Sequence, residues 1–576
     1  MSTPKGIFLE LIKPDGQPER QLCQYEALHM CLTDPINTYL RGNRKRGTVS
    51  KDRWGTTISF PEDAPGPIPV HTPELSVCTD VTRWKETIHV PDLSVCSEGW
   101  EECRTRSRAA ADAEGKLLAG FMGTGIFEQC HFLMGFEDTL TALYEHPDEM
   151  HELIETITQY RLDYVRRLID GLQPDVIFSH DDWGTKNALF MKPDMWREFF
   201  KEPYRRFYGY IRSRGVITIH HADSYLVPIV DDMAEIGIQV WQGTLPENDI
   251  PALQRHLSGK LTLMGGFGAA IDRADAQPDE ILAYARDTLA RCCPGGHFIP
   301  SITYGLAGTV FPHVDQYLDQ AVNEYNAGLH IPVTPLPAVP KRKISEAKAE
   351  VVQAAASAQE SADVFENIAR ALERGQQKKL LTLCQQALDE GHEPGDILSK
   401  GMIVGMNRLG EAFSANRAFV PEMLMAARCM SAATELLKPL MVGEGTEPVG
   451  RVCLGTVKGD MHDIGKNLVK IMMEGSGIEV FDLGVDTSAE QFVSTAVENH
   501  CGVIACSSLL TTTMEEMREV VKLVHERGLQ NQIKVMVGGA PISQSFCDEI
   551  GADYYAEDAG AAAREAVAIL KAQKAS

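Results

Sequence analysis

The sequence has no CxxC pair among its 14 cysteines, no apolar run long enough to cross a bilayer and no excess of positive charge. Each absence excludes something. Fourteen cysteines scattered over 576 residues, several inside apolar runs (Cys453, Cys501, Cys506), read as reduced, buried thiols and not as a disulfide framework. A spanning helix needs roughly 18 or more consecutive apolar residues, and none occurs. The start, Met1-Ser2-Thr3-Pro4-Lys5, lacks the charged-then-apolar pattern of a secretory leader, so the cytoplasm is the expected compartment. The formal net charge of −25 repels phosphate backbones and anionic lipid, so neither nucleic acid nor a membrane is expected as a partner.

What is present is an ordinary globular composition, 44% hydrophobic and 23% charged. A single core rarely grows beyond about 250–300 residues, so two or three domains are expected. The clearest boundary is 331–360, where Ile331 to Pro340 holds four prolines, followed by Lys341-Arg342-Lys343 and an Ala/Glu/Gln-rich stretch. That composition is an extended spacer.

Before the spacer, in 1–330, short apolar runs alternate with helical patterns. The runs are 175–180, 215–220, 238–241, 261–265 and 298–301. Such alternation predicts a parallel sheet, open or closed into a barrel. Polar residues gather where these runs end: His180-Asp181-Asp182, His220-His221-Ala222-Asp223, Gln242 and Tyr304. In a barrel the C-terminal strand ends form the active-site face. Gly120 to Gly125 has dinucleotide-loop spacing, but no strand–helix context is evident around it. Arg41, Arg44 and Arg46 read as a solvated charge run.

After the spacer, 361–446 carries four helical patterns and no strand signal, with Pro394 and Pro421 at first-turn positions. This predicts a four-helix bundle. From 447 to 576 the alternation returns, with apolar runs at 452–455, 478–483, 503–506 and 534–537, and predicts a doubly wound parallel sheet.

The segment that carries chemistry is Asp460-Met461-His462-Asp463-Ile464-Gly465, which follows a strand run and opens a helix. A histidine on such a loop can ligate a metal, and an acid two residues earlier can fix its tautomer. The segment resembles the D-x-H-x-x-G signature of methionine-synthase-type cobalamin domains, whose fold is Rossmann-like. The resemblance implies that His462 is the lower ligand of a corrinoid cobalt, backed by Asp460, with Gly465 at the helix start. Ser507 to Met514 is similar to that family's S-x-L segment, and Gly538-Gly539 to its later glycine pair. By the same resemblance Ser507, Leu509, Thr511, Gly538 and Gly539 line the cofactor's nucleotide tail, and Thr513 ends the His462–Asp460 relay. Glu411-Ala412-Phe413 and Phe419 to Arg428 resemble the helical cap of methyl carriers, which places Phe413, Phe419 and Met423 near the cofactor.

The N-terminal part resembles the uroporphyrinogen decarboxylase-like barrels through Asp181-Asp182-Trp183-Gly184, Trp196 to Phe200, the His220 strand end and Pro294-Gly295-Gly296. This implies a TIM-like (β/α)8 barrel over 1–330, ahead of the spacer 331–360, the cap 361–446 and the cobalamin domain 447–576. Thiol-methylating members bind zinc through H-x-C and a later Cys. Here His220 fits the histidine, while Ala222 and Tyr304 stand where the cysteines would be. A sulfur-rich site is therefore not expected, and His220 remains the candidate zinc ligand.

The domain order is similar to fused corrinoid methyltransferases. It implies transfer of a methyl group from a small donor, a methoxylated aromatic or a similar one-carbon donor, to cob(I)alamin carried by the same chain. The candidates for neutralising the leaving group are His220, His221, Asp181, Asp223 and Tyr304. Two alternatives are a halomethane donor, which needs no acid, and a cobalamin-binding sensor or carrier without catalysis. The expected partners are the methylated substrate, a second methyltransferase serving a pterin or thiol acceptor, a corrinoid reductive activase, and a further copy of this chain.

Overall fold

The computed structural model describes all residues except 1–2, 42–44, 61–66, 73, 305–309, 329–362, 416, 438–439, 441–447, 461–463, 510–512, 540–541 and 576. The chain forms two compact units, divided between Val351 and Val352. The expected spacer 331–360 lies outside the described residues, as do Arg44, His462 and Thr511. Among the described residues no helix is long and apolar enough to cross a membrane.

The first unit is built on seven strands in one sheet: β1 (Leu28–Cys31), β2 (Leu117–Met122), β3 (Val176–His180), β4 (Ile217–His221), β5 (Val240–Thr244), β6 (Thr262–Phe267) and β7 (Phe298–Ile302). They lie in sequence order, and each pairs with the next in parallel. Successive strand residues face opposite sides. One side of every strand feeds a common core: Leu28, Phe121, Phe178, Ile219, Val240, Met264 and Ile299, with Ile7, Phe8 and Leu11 of helix α1 (Pro4–Leu11). Leu28 on the first strand and Ile299 on the last share that core, so the sheet curls around its own interior as a barrel does. Eight strands were the expectation. Among the described residues none pairs β7 with β1, and the Gln24 side chain bridges there by accepting from the Ile302 N–H at 3.2 Å.

The strands β1 and β2 were not among the expected runs, because His29 and Gly120 interrupt their apolar character. The glycine-rich segment 120–125 does sit in a strand–helix context after all, between β2 and the helix Ile126–Met134. A separate three-stranded antiparallel sheet (Thr48–Lys51, Thr57–Phe60, Ile68–Pro69) lies in the β1–β2 connection.

In the second unit, β8 (Arg451–Thr456), β9 (Glu479–Asp482), β10 (Val503–Ser507), β11 (Lys534–Gly538) and β12 (Tyr554–Ala556) form an all-parallel sheet in the order β9-β8-β10-β11-β12. This is the doubly wound order whose direction reverses between β8 and β10, where such folds bind ligands at the carboxyl edge. Four helical stretches precede it, Val364–Glu373, Gln377–Asp389, Pro394 to Ser414 and Val420–Leu437. Their apolar faces and one face of the sheet bury a single core, in which Met402, Met406, Leu409 and Met423 meet Val452, Leu454 and Met473. Met423 is fully enclosed there, whereas Phe413 is half-buried against the same core.

Candidate functional site

At the carboxyl ends of β3 and β4, His180 and His221 are register partners on neighbouring parallel strands. Strands lie about 4.8 Å apart. With both side chains on the inner face, the imidazoles stack at 4.5 Å and 15°. Phe178 and Ile219, two residues back along each strand, are core residues on that face, which fixes the direction of both histidines. Asp182 follows β3, and ligand atoms of His180, Asp182 and His221 all lie within 4.8 Å of one another. Two imidazoles and a carboxylate are a donor set for zinc or another divalent transition metal.

Each histidine is oriented from behind. His180 Nδ1 meets Glu128 Oε2 at 2.9 Å, and His221 Nδ1 bonds Gln242 Oε1. Carboxylate and amide oxygens only accept, so both Nδ1 atoms donate and both Nε2 atoms are left for the cluster. Gln242 is itself held by Ile302 O at 3.3 Å, and Asp182 Oδ1 accepts from the Asp223 N–H at 3.1 Å. Burial alone would depress His180. Glu128, Asp182 and Asp223 outweigh it and hold the imidazole up at about 10, so a metal ion taking Nε2 would displace the proton there. Burial, then the charge on His180, pushes His221 down to about 4. Burial, then Asp182, raises the half-buried Asp223 well above the usual carboxylate range.

Three expected residues are placed elsewhere. His220 faces the opposite side of β4: it is fully buried, stacks on Trp183 at 4.1 Å, and its Nδ1 meets Tyr208 Oη at 2.7 Å. Burial depresses it far below the ordinary imidazole value. The alternation of the strand turns His220 away from the cluster and its neighbour His221 into it. Asp181, also fully buried, accepts the N–H groups of Phe127 and Glu128 at 2.9 Å each. It caps the helix Ile126–Met134 and so positions Glu128. Tyr304 donates to Asp272, whose other oxygen takes the Phe311 N–H at 2.9 Å.

His180, Asp182 and Glu128 were missing from the expected site. The signal for the first two was available in the shared parity of Phe178/His180 and Ile219/His221. Glu128 arrives from a distant helix, and nothing local marked it.

The second site lies at the reversal point of the second sheet. Asp460, fully buried after β8, accepts on Oδ2 from the Leu509 N–H at 2.7 Å, Thr513 Oγ1 at 3.1 Å and Ser508 Oγ at 3.3 Å. Ser508 and Thr513 also meet at 2.8 Å. The expected Thr513–Asp460 contact is therefore made. Ser508, and not the expected Ser507, belongs to the same network. Ser507 ends β10 beside Gly538, and its carbonyl accepts from the Val457 N–H at 3.0 Å. Gly539 has φ +134°, and a Cβ there would meet Ser508 O at 1.8 Å. Only glycine permits that approach.

Among the described residues a Cβ on Gly465 would meet nothing within 4 Å, and Gly465 itself is exposed. On the same edge Leu509 leaves 45% of its surface exposed. A buried acceptor network, an exposed glycine at a helix start and an exposed apolar side chain at a sheet reversal point fit a large planar cofactor. Asp460, Leu509, Gly465 and the 538–539 glycines would hold it.

Comparison with known proteins agrees with this division. Residues 48–325 match the family model described as uroporphyrinogen decarboxylase, residues 364–438 a B12 binding domain, and residues 450–568 a second B12 binding domain model. The dimethylamine corrinoid protein 2 of Methanosarcina mazei is 43% identical over 179 residues, 31% of this chain and 84% of that protein. A corrinoid protein of Desulfitobacterium hafniense is 38% identical over 210 residues, 36% of this chain and 97% of that one. Among solved structures, the methanol:cobalamin methyltransferase complex of Methanosarcina barkeri aligns at 26% identity with a TM-score of 0.34, covering 45% of this chain and 96% of that one.

Proposed function

Because this chain belongs to the corrinoid proteins and carries a uroporphyrinogen decarboxylase-like domain ahead of its B12-binding domains, we propose that it is a corrinoid-dependent methyltransferase whose barrel demethylates a donor with its methyl group on oxygen or another basic heteroatom. The observation that carries this reading is the His180–Asp182–His221 cluster at the C-terminal strand ends. Bound cobalamin supplies a reduced cobalt that is a strong nucleophile towards a methyl carbon. What this chain must add is relief of the charge that develops on the leaving atom, because an alkoxide or aryloxide is a poor leaving group.

A divalent cation held by His180, Asp182 and His221 would supply Lewis-acid polarisation of that atom. Glu128 and Gln242 keep both Nε2 atoms turned into the cluster, and Asp182 is steadied by the Asp223 N–H. Asp223, whose backbone N–H steadies Asp182, is the candidate proton donor. A halide leaving group needs none of this, so the cluster favours a heteroatom donor over a halomethane, and over a carrier without chemistry of its own. The identity to the dimethylamine corrinoid protein covers 31% of this chain and does not bear on the donor.

In the second unit His462 would hold the cobalt, with the buried Asp460, Ser508 and Thr513 network as its support. The partners that follow are a second methyltransferase that removes the methyl group and a reductive activase.

The test is direct. The full chain, loaded with cobalamin and reduced, is offered methoxyaromatics, methylamines, methyl sulfides and methyl halides. Loss of the Co(I) absorbance band with a methoxy or amine donor, abolished in His221→Ala, is the expected result. Loss with methyl halides only, unchanged in His221→Ala, would overturn the reading.

A further inference from the structure

Lys466 is the third residue of the helix Ile464–Gly475, which opens straight after the segment that carries His462. Two things oppose a charge there. The Lys466 side chain leaves 3% of its surface exposed, and an ammonium taken out of water is costly unless it is paired. The start of a helix is also the positive end of its dipole, which disfavours a cation. One carboxylate offsets both. Asp482, the last residue of β9, accepts from Lys466 Nζ on Oδ1 at 2.6 Å and on Oδ2 at 2.8 Å. Lys470, one turn further along the helix, reaches the same carboxylate at 3.3 Å. Asp482 is itself fixed to its own loop, because Oδ1 accepts the Gly484 N–H at 2.9 Å.

The strand end of the His462 segment is tied to that loop as well. Asp486 Oδ1 accepts the Gly459 N–H at 2.8 Å, and the Asp486 N–H donates to Asp460 O at 3.0 Å. Asp486 makes both bonds from a left-handed backbone, with φ +53°. The Thr487 N–H donates to Thr456 O at 3.0 Å just before it. The stretch 457–466 therefore meets the loop after β9 at both ends, through backbone bonds at Gly459 and Asp460 and through one buried ion pair at Lys466. An apolar pair of similar volume would pack the helix at least as well. What the ion pair adds is direction, since one ammonium is fixed against one carboxylate.

We propose that Lys466 and Asp482 are positioning residues for the cobalt ligand: their pair fixes the helix end of the 457–466 stretch, as Asp486 fixes its strand end, and so keeps His462 placed to stay on the metal. The network of Asp460, Ser508 and Thr513 ties the segment to the loop after β10. The Lys466–Asp482 pair ties it to the loop after β9, on the other side of β8. The proposal rests on the reading that His462 holds the cobalt.

It is tested by the visible spectrum of the full chain loaded with methylcobalamin at neutral pH, which reports the ratio of histidine-ligated to unligated cobalt. His462→Ala gives the unligated limit. Asp482→Asn and Lys466→Met lower the ratio by about 10- to 100-fold, the scale of outer-shell substitutions at metal sites, and Lys466→Arg, which keeps the charge, lowers it by less. The double variant Lys466→Met with Asp482→Leu leaves no buried charge unpaired, so the melting midpoint of the cofactor-free chain recovers relative to Asp482→Asn. Its ratio stays low, because the direction of the pair is gone. Equal ratios in the unaltered chain, Asp482→Asn and Lys466→Met overturn the proposal. So does a double variant whose spectrum recovers together with its stability, which would make the pair a matter of folding alone. An unchanged spectrum in His462→Ala overturns the cobalt-ligand reading and the proposal with it, which sets that failure apart from the other two.

Discussion

His180 and His221 stack at 4.5 Å because they are register partners on adjacent strands, each pinned from behind, one by Glu128 and the other by Gln242. Two imidazoles presented side by side with a carboxylate are expected to retain a divalent metal through purification. Elemental analysis should find it in the unaltered chain and not in His221→Ala. Glu128→Gln, which removes only the orienting charge, should weaken metal affinity by about 10- to 100-fold. His220→Ala should keep its metal and lose stability instead. Metal retained in His221→Ala but lost in His220→Ala would reverse the assignment.

Asp181 is expected to matter for stability first. Asp181→Ala leaves the N–H groups of Phe127 and Glu128 without their acceptor at a helix start, a loss of about 1–2 kcal/mol. Thermal melting of the metal-free chain measures it. An unchanged midpoint would mean that solvent or another group takes over the cap.

Asp460 anchors three donors from the β10 loop. Asp460→Ala should therefore cost on the order of 1–3 kcal/mol through the stranded Leu509 N–H and Thr513 hydroxyl, and should also change the visible spectrum of bound cobalamin. His462→Ala should give the spectrum of cobalamin without a protein imidazole while leaving the melting of the sheet near its original value. An identical spectrum in His462→Ala removes the axial-ligand assignment.

Acid stability of the first unit should track Asp232. Burial would raise this carboxyl, but Arg197, at 2.9 and 3.0 Å, and Lys201, at 2.7 Å, outweigh it and hold it below 3.8. A depressed folded value means the contribution is fully present above pH 3.8 and disappears as pH falls through the folded value. Asp232→Asn should thus lower stability at neutral pH and flatten its dependence below pH 3.8. Denaturant melts at pH 7 and pH 3 decide this, and parallel curves for the two proteins would refute it.

What the sequence by itself determined is what depends on local order. The alternation of apolar runs with helical patterns specified two parallel α/β folds with a bundle between them. The Asp460-to-Gly465 segment and its two supporting motifs pointed to the cofactor through their resemblance to cobalamin domains. Such features are short-range, set by periodicity and turn chemistry. The tertiary structure alone decided the barrel chemistry. Whether His220 or His221 faces the interior depends on the phase of β4 against a core shared by seven strands. His180 becomes a partner only through the register of β3 with β4, and Glu128 only because Asp181 draws a distant helix start to the same place. These are contacts between residues dozens of positions apart, and no local pattern encodes them.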